Sequence, residues 1–265
     1  KCKGESLYED RRKIRFRNQN YREKIKLKKK KNILVIFGGA SKEREISIET
    51  GISCIKALKK LKYKVIKFDP KFNSLTTIKK KNPDLIFNAL HGKGGEDGVI
   101  QSFFEHTGLP YTHSGPLSSM LAMNKYFSKQ LFIKNKIITP QFFYLNKKNF
   151  SNEIVKKQIK KNKLKFPIVI KPNDEGSSIG VNICQNFKSL IRSFKKLKNK
   201  YDDLIFEKFI PGKEIQVANI GNNAIGAIEL RPKRKFYDYK AKYRKSSKTK
   251  HIMPAEISTK KYKEV

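Results

Sequence analysis

Between Asn32 and Leu90, short apolar runs alternate with one amphipathic segment, and this alternation narrows the possible folds more than any other feature. ILVIF (33–37) has the length and branched composition of a buried strand and ends on Gly38-Gly39. Ile48, Ile52, Ile55 and Leu58 follow at helical spacing, which predicts a helix beginning near Ser47. KVIKFD (64–69) predicts a second strand and DLIFNAL (84–90) a third. Strand–helix–strand repeats predict a parallel sheet with helices on its faces. Ligands bind beyond the carboxyl ends of such strands. Two loops sit there, GGASKERE after the first strand and HGKGGEDG (91–98) after the third. Four glycines in that octet allow the backbone to approach a ligand closely, and His91 is placed to donate to an anionic group. The competing reading of the octet is a polar turn capping a helix from near Asp97.

The second half of the chain is organised around FPIVIKPNDEGSSIG (166–180). Ile168, Val169 and Ile170 read as a buried strand that delivers Lys171 into a loop of Asn173, Asp174, Glu175, Gly176, Ser177, Ser178 and Gly180. A lysine followed by a Gly/Ser loop suits phosphates: the ammonium is a point charge, and backbone N–H groups and hydroxyls close over the oxygens. The spacing is not that of a Walker A loop. A surface hairpin with a chance lysine is the alternative for this stretch alone. Residues 116–135 read as helical, with apolar positions Leu117, Leu121, Phe127, Leu131 and Phe132, and with Lys125 interrupting after Asn124. FFYL (142–145) predicts a strand, 151–164 a Lys-rich amphipathic helix and 186–198 another helix. LIFEKFIPGKEIQVANIG (204–221) predicts strand, turn, strand, with Glu207 and Lys208 at a strand end and Glu214 past the Pro-Gly turn. AIGAIEL (224–230) is a further strand, and FYDYKAKY (236–243) is a dense aromatic and basic stretch.

Composition removes several classes. The net charge of +38 suggests nucleic acid, but 51 of the 61 basic residues are Lys, whereas base-edge and bidentate phosphate recognition favour Arg. No specific nucleic-acid partner is expected. Three scattered cysteines, Cys2, Cys54 and Cys184, argue against a disulfide frame or metal cluster and for a reducing cytoplasm. No apolar run reaches membrane-spanning length. Residues 1–31 hold 14 basic and four acidic residues and read as a basic, disordered extension.

From GGASKEREIS onward the chain resembles the D-alanine–D-alanine ligases of the ATP-grasp superfamily. The likeness continues in order through ALHGKGGEDGVIQ, GLPYTHSG, MNKYFSK, IVIKPNDEGSSIGV, LIFEKFIPGKE and FYDYKAKY, roughly Asn32 to Ser258. It implies an α/β chain: an N-terminal parallel-sheet, Rossmann-like domain (32–118), then an ATP-grasp fold with a central subdomain (119–210) and the start of a C-terminal subdomain (211–265). It implies ATP-dependent joining of two D-alanines through an acyl phosphate, for peptidoglycan synthesis. A carboxylate is a poor electrophile until phosphorylation supplies a leaving group, and the protein mainly positions groups and stabilises charge.

Residue by residue, the resemblance implies that Glu43 binds the ammonium of the first D-alanine and that Ser177 and Tyr243 complete a hydrogen-bonded trio with it. His91 lies near the reacting carboxylate. Lys125 and Lys171 contact nucleotide phosphates, and Lys242 the transferred phosphoryl group. Glu207 accepts from the adenine amino group with Lys208 beside it, and Glu214 holds the ribose hydroxyls. Tyr243, rather than Phe, favours D-alanine as second substrate. The resemblance also implies a homodimer and Mg²⁺, whose ligands are expected beyond Val265. The chain opens on Lys1 and is read as a C-terminally truncated piece with an incomplete last subdomain, expected to turn over little alone. Two alternatives are an ATP-grasp ligase for another carboxylate and a nucleotide- or polyanion-binding module without catalysis.

Overall fold

The computed structural model describes residues 31–221, 223–232 and 249–264. The first unit is built on a parallel sheet of β1 (Asn32–Ile36), β2 (Lys64–Phe68) and β3 (Leu85–Asn88), in the order β2-β1-β3. β1 is central, so both its edges are paired, and side chains pack on both its faces. Leu34 and Ile36 pack with Phe68, Ile86 and Phe104, while Ile33 and Val35 pack with Ile55 and Ala89 on the other side. That two-residue alternation is the strand period. The sheet expected from the alternation of apolar runs is present, and its strand ends match the sequence reading to within one or two residues.

The helix after β1 differs in detail. α1 spans Arg44–Lys60 and starts three residues before Ser47. Its buried residues are Ser47, Gly51 and Ile55. Ile52, one of the four spaced apolar positions, is exposed. The helix seats through small residues, which lets it lie close to the strand ends. Ser47 Oγ receives the Gly38 N–H at 2.7 Å and donates to the Ala89 carbonyl at 2.7 Å, pinning the ends of β1 and β3 together. The loop after β3 leads into α2 (Val99–Thr107), two residues later than the start read at Asp97.

Residues 116–135 form two helices, α3 (Pro116–Met123) and α4 (Lys125–Lys134). Asn124 between them is extended at φ −82° and ψ 105°, and its side chain caps α4 by accepting from Phe127 N at 3.0 Å. Leu117, Phe127, Leu131 and Phe132 are exposed rather than core. α4 is fixed by its first turn: Lys125 N donates to the Asn173 carbonyl at 3.0 Å, and Tyr126 N to Asn173 Oδ1 at 2.9 Å.

The second unit is an antiparallel sheet in the order β4-β7-β5-β6, made of β4 (Phe142–Asn146), β5 (Ile168–Pro172), β6 (Asn182–Cys184) and β7 (Asp203–Lys208). α5 (Asn152–Lys161) and α6 (Phe187–Leu197) cover one face. Ile168, Ile170, Leu204 and Phe206 point to those helices and are fully buried. By alternation, Lys171 and Glu207 belong to the opposite face. The stretch around Lys171 is thus a hairpin, but β5 is an interior strand and not surface structure. Ile170→Ala is expected to cost about 2–5 kcal/mol, because the close-packed core cannot collapse into the space. Urea unfolding checks this, and a loss under about 1 kcal/mol would contradict the packing.

A third sheet, β10-β9-β8, contains β8 (Glu214–Ile220), β9 (Asn223–Arg231) and β10 (Lys250–Ile252), and α7 (Thr259–Glu264) follows it. The extension read over 1–31 lies outside the described residues apart from Lys31.

Candidate functional site

Glu43 is the residue before α1 and is only 2% exposed. Ser177, from the loop after β5, donates its hydroxyl to Glu43 Oε2 across 134 residues of sequence. Two glycines make room for the carboxylate. A Cβ on Gly92 would stand 2.9 Å from Glu43 Oε1, and one on Gly176 would stand 3.0 Å from it. Gly92 is also left-handed at φ +68°. Ser177 and Ser178 adopt left-handed φ of +50° and +60°, which costs about 1–3 kcal/mol each for non-glycine residues. Ile179 N donating to the Gly176 carbonyl at 2.9 Å helps hold that turn. His91 sits at the end of β3, with Nε2 3.1 Å from Thr50 Oγ1 and Nδ1 3.9 Å from Glu96 Oε1. Glu43, His91, Gly92, Glu175 and Tyr201 all line one cleft of about 890 Å³ between the parallel sheet and the 173–181 loop.

A second cluster lies across the loop backbone. Asp174 and Glu175 wall the cleft, whereas the carbonyls of Asn173 and Glu175 accept from the Lys125 ammonium. Burial and the neighbouring Lys171 charge push the Lys125 pKa down to about 8. Lys171 Nζ is bound to Glu207 Oε1, and Lys129 Nζ lies 2.9 Å from Glu207 Oε2. Glu207 is 8% exposed. Burial alone would raise its pKa, but Lys171 and Lys129 offset this and hold it below the usual carboxylate value. Burial in turn lowers the pKa of Lys129, against the pull of Glu207. The pairing follows from strand register. Val169 stands opposite Glu207, so Lys171 is its diagonal neighbour on the same face, and Phe142 faces Glu207 from β4.

Lys208 and Glu214 are exposed, at the end of β7 and the start of β8. Neither joins the Lys171–Glu207 cluster through a contact described here. Lys242 and Tyr243, with the rest of FYDYKAKY, lie outside the described residues.

Two groups of site neighbours escaped the reading of motifs. Lys42 pairs with Glu175 and donates to Tyr201 Oη at 3.1 Å, while Lys93 Nζ lies 3.3 Å from Asp174 Oδ2. Both lysines come from loops of the parallel-sheet unit and both carboxylates from the 173–181 loop, so opposite charges meet across the cleft. Lys129 is the other omission. Its signal was its position four residues after Lys125, on the same helix face. Two lysines there repel unless a carboxylate lies between them and the sheet.

Comparison with known proteins covers most of the chain. A model of the D-ala D-ala ligase N-terminus matches residues 67–114, and one of the D-ala D-ala ligase C-terminus matches residues 131–265. A D-alanine–D-alanine ligase of Pelagibacter ubique is 51% identical over 228 residues, covering 86% of this chain and 74% of that protein. The crystal structure of a D-alanine–D-alanine ligase from Bacillus anthracis superposes with a TM-score of 0.73 at 35% identity, over 87% of this chain and 73% of that one. A structure of the Bacillus anthracis ligase complexed with ATP gives 0.71 at 31% identity, over 86% and 72%. The parallel sheet followed by antiparallel sheets is accordingly the ATP-grasp architecture of these ligases. Half of all aligned positions are shared with one ligase, and the ordered motifs surrounding Glu43, Lys171 and Glu207 agree with that likeness, so the chain belongs to the D-alanine–D-alanine ligase family.

Proposed function

We propose that the chain carries the site of an ATP-dependent ligase that joins two D-alanines. Glu43 takes the ammonium of the first D-alanine, with the cleft around His91 receiving its carboxylate. That carboxylate attacks the terminal phosphorus of ATP, ADP leaves, and an acyl phosphate forms. The amino group of the second D-alanine, deprotonated to the free amine, then attacks the acyl carbon, inorganic phosphate leaves with the bonding pair, and the nitrogen releases a further proton to solvent or phosphate to give the amide. Lys125 and Lys171 neutralise nucleotide phosphates, Lys242 meets the transferred group, Glu207 accepts from the adenine amino group beside Lys208, and Glu214 holds the ribose. Tyr243 joins Ser177 and Glu43 in closing the site. The units are 32–118, 119–210 and 211–265. The protein works in the cytoplasm as a homodimer and feeds peptidoglycan synthesis.

The hydrogen bond from Ser177 to Glu43 is the observation that carries this reading. It ties a carboxylate suited to an amino acid to the loop whose backbone holds Lys125, so closing over one substrate orders the groups that meet the other. Magnesium is proposed as the companion ion of ATP. Among the described residues no group of three or more His, Cys, Asp or Glu is assembled to hold a metal. The residues named above would act by positioning the reactants and neutralising charge. Also among the described residues, no helix is long and apolar enough to cross a membrane.

The test is one of binding. In equilibrium dialysis with Mg²⁺ the protein is expected to retain ADP, and to retain D-alanine in preference to other amino and carboxylic acids. Preference for another amino or carboxylic acid over D-alanine overturns the proposal and favours a ligase for that acid. Salt-sensitive retention of DNA without nucleotide binding favours the polyanion module instead.

A further inference from the structure

We infer that Lys129 is a positioning residue that keeps Glu207 ionised and aimed, and that it thereby sets the preference for adenine over a 6-oxopurine. The inference rests on the proposed contact between Glu207 and the adenine amino group.

Lys129 is held on every side. It is 6% exposed and lies in α4. Its ammonium is 2.9 Å from Glu207 Oε2, 2.8 Å from Thr139 Oγ1 and 3.2 Å from the Pro140 carbonyl. Those three acceptors match the three donors of an ammonium. The Phe142 ring closes the remaining side, its centroid 4.7 Å from Nζ. A lysine so enclosed has little freedom to follow a ligand.

Lys171 is held differently. It reaches Glu207 Oε1 from β5, and its side chain is more exposed than that of Lys129, at 19% against 7%. In the proposed function the Lys171 ammonium turns to the nucleotide phosphates. With its three donors shared between phosphate and Glu207, that ammonium neutralises the carboxylate less. The buried carboxylate then needs a counter-charge that stays in place, and Lys129 supplies it. Lys125 also interacts with this carboxylate electrostatically, but its ammonium donates to the loop carbonyls and is the other proposed phosphate contact.

The protonation state of Glu207 decides which purine fits. An ionised carboxylate only accepts, so it suits the 6-amino group of adenine. A protonated carboxyl donates through its O–H, so it suits the 6-oxo group of hypoxanthine. Without Lys129, burial favours the protonated form once Lys171 has turned away.

Isothermal titration with ADP and with inosine diphosphate, both with Mg²⁺, tests this. The parent protein is expected to prefer ADP. In Lys129→Met the ADP-to-IDP preference is expected to fall about tenfold at pH 6 and to recover as the pH is raised to 9, because Glu207 then ionises without help. The ratio cancels effects on the phosphates that both ligands share. Should Lys129→Met fail to fold, Thr139→Val removes one anchor of the ammonium and is expected to lower the ratio about threefold in the same direction. Glu207→Gln separates the two levels, since its amide both donates and accepts and should erase the preference. An unchanged ratio in Glu207→Gln, or no ADP binding by the parent, overturns the adenine reading and the inference with it. A collapsed ratio in Glu207→Gln beside an unchanged, pH-independent ratio in folded Lys129→Met or Thr139→Val overturns the inference alone.

Discussion

Glu43→Gln is expected to weaken D-alanine binding by about 30-fold to several thousand-fold, the equivalent of about 2–5 kcal/mol for a desolvated charge pair that loses one partner. The substitution keeps the shape of the side chain and removes only its charge. Glu43 is buried at 2% exposure, so water does little to screen its attraction for an ammonium. The amide also turns one acceptor into a donor, which opposes the ligand's own donors. Gly92 and Gly176 lack the Cβ atoms that would stand 2.9 and 3.0 Å from Oε1, so a glutamine fits where the glutamate did. Ser177 still has an oxygen to donate to, hence the loop is expected to stay closed and the melting temperature to change little. Titration calorimetry with D-alanine reads the first effect and thermal unfolding the second. A change in affinity within about threefold would place the ammonium elsewhere.

The features legible in the sequence were those with a period or an order. β1 shows as a branched apolar run because a parallel strand covered on both faces has no polar side to display, while the edge strand β2 keeps Lys64 and Lys67 exposed. The family resemblance carried by the ordered motifs implied the pairing of Glu43 with Ser177 across 134 residues, a contact no local pattern encodes. What escaped depended on packing geometry. α1 seats on Ser47 and Gly51, and small residues carry no hydrophobic signal, so its start was read three residues late. The break at Asn124 hides because Asn is tolerated inside a helical pattern, while here its side chain caps the next helix. The apolar positions of α3 and α4 give the helical period but not the packing: Leu117, Phe127, Leu131 and Phe132 stay exposed, and α4 is held through Asn173. Lys129 went unremarked among 51 lysines, because composition hides a buried cation when solvated ones are everywhere. Its carboxylate partner lies on a strand 78 residues away, and only the fold brings the two to 2.9 Å.

Affinity for ADP is expected to fall about 25-fold between pH 7.5 and pH 9.5, and Lys125 is the reason. Its pKa is lowered from 10.5 to about 8 by burial of the ammonium and by the like charge of Lys171. Phosphate binding favours the charged form, so a nucleotide must return the proton to any Lys125 that has lost it. Above pH 8 each further unit therefore costs about tenfold in affinity, until the pKa of the bound state is reached. Binding is then accompanied by proton uptake, read by titration in buffers of different ionisation heat. Folding shows the opposite sign. Between the folded pKa of about 8 and the unfolded value of 10.5, the unfolded chain holds the proton that the folded chain has released. The contribution of Lys125 to stability thus rises with pH across that window, and its charged form is a burden on the fold below it. The protein keeps this burden where the phosphates are proposed to arrive, which is what a site built to receive negative charge requires. Lys125→Met is expected to flatten the pH dependence of ADP affinity and abolish the proton uptake. A pH profile that keeps its slope in that variant would assign the titration to another group.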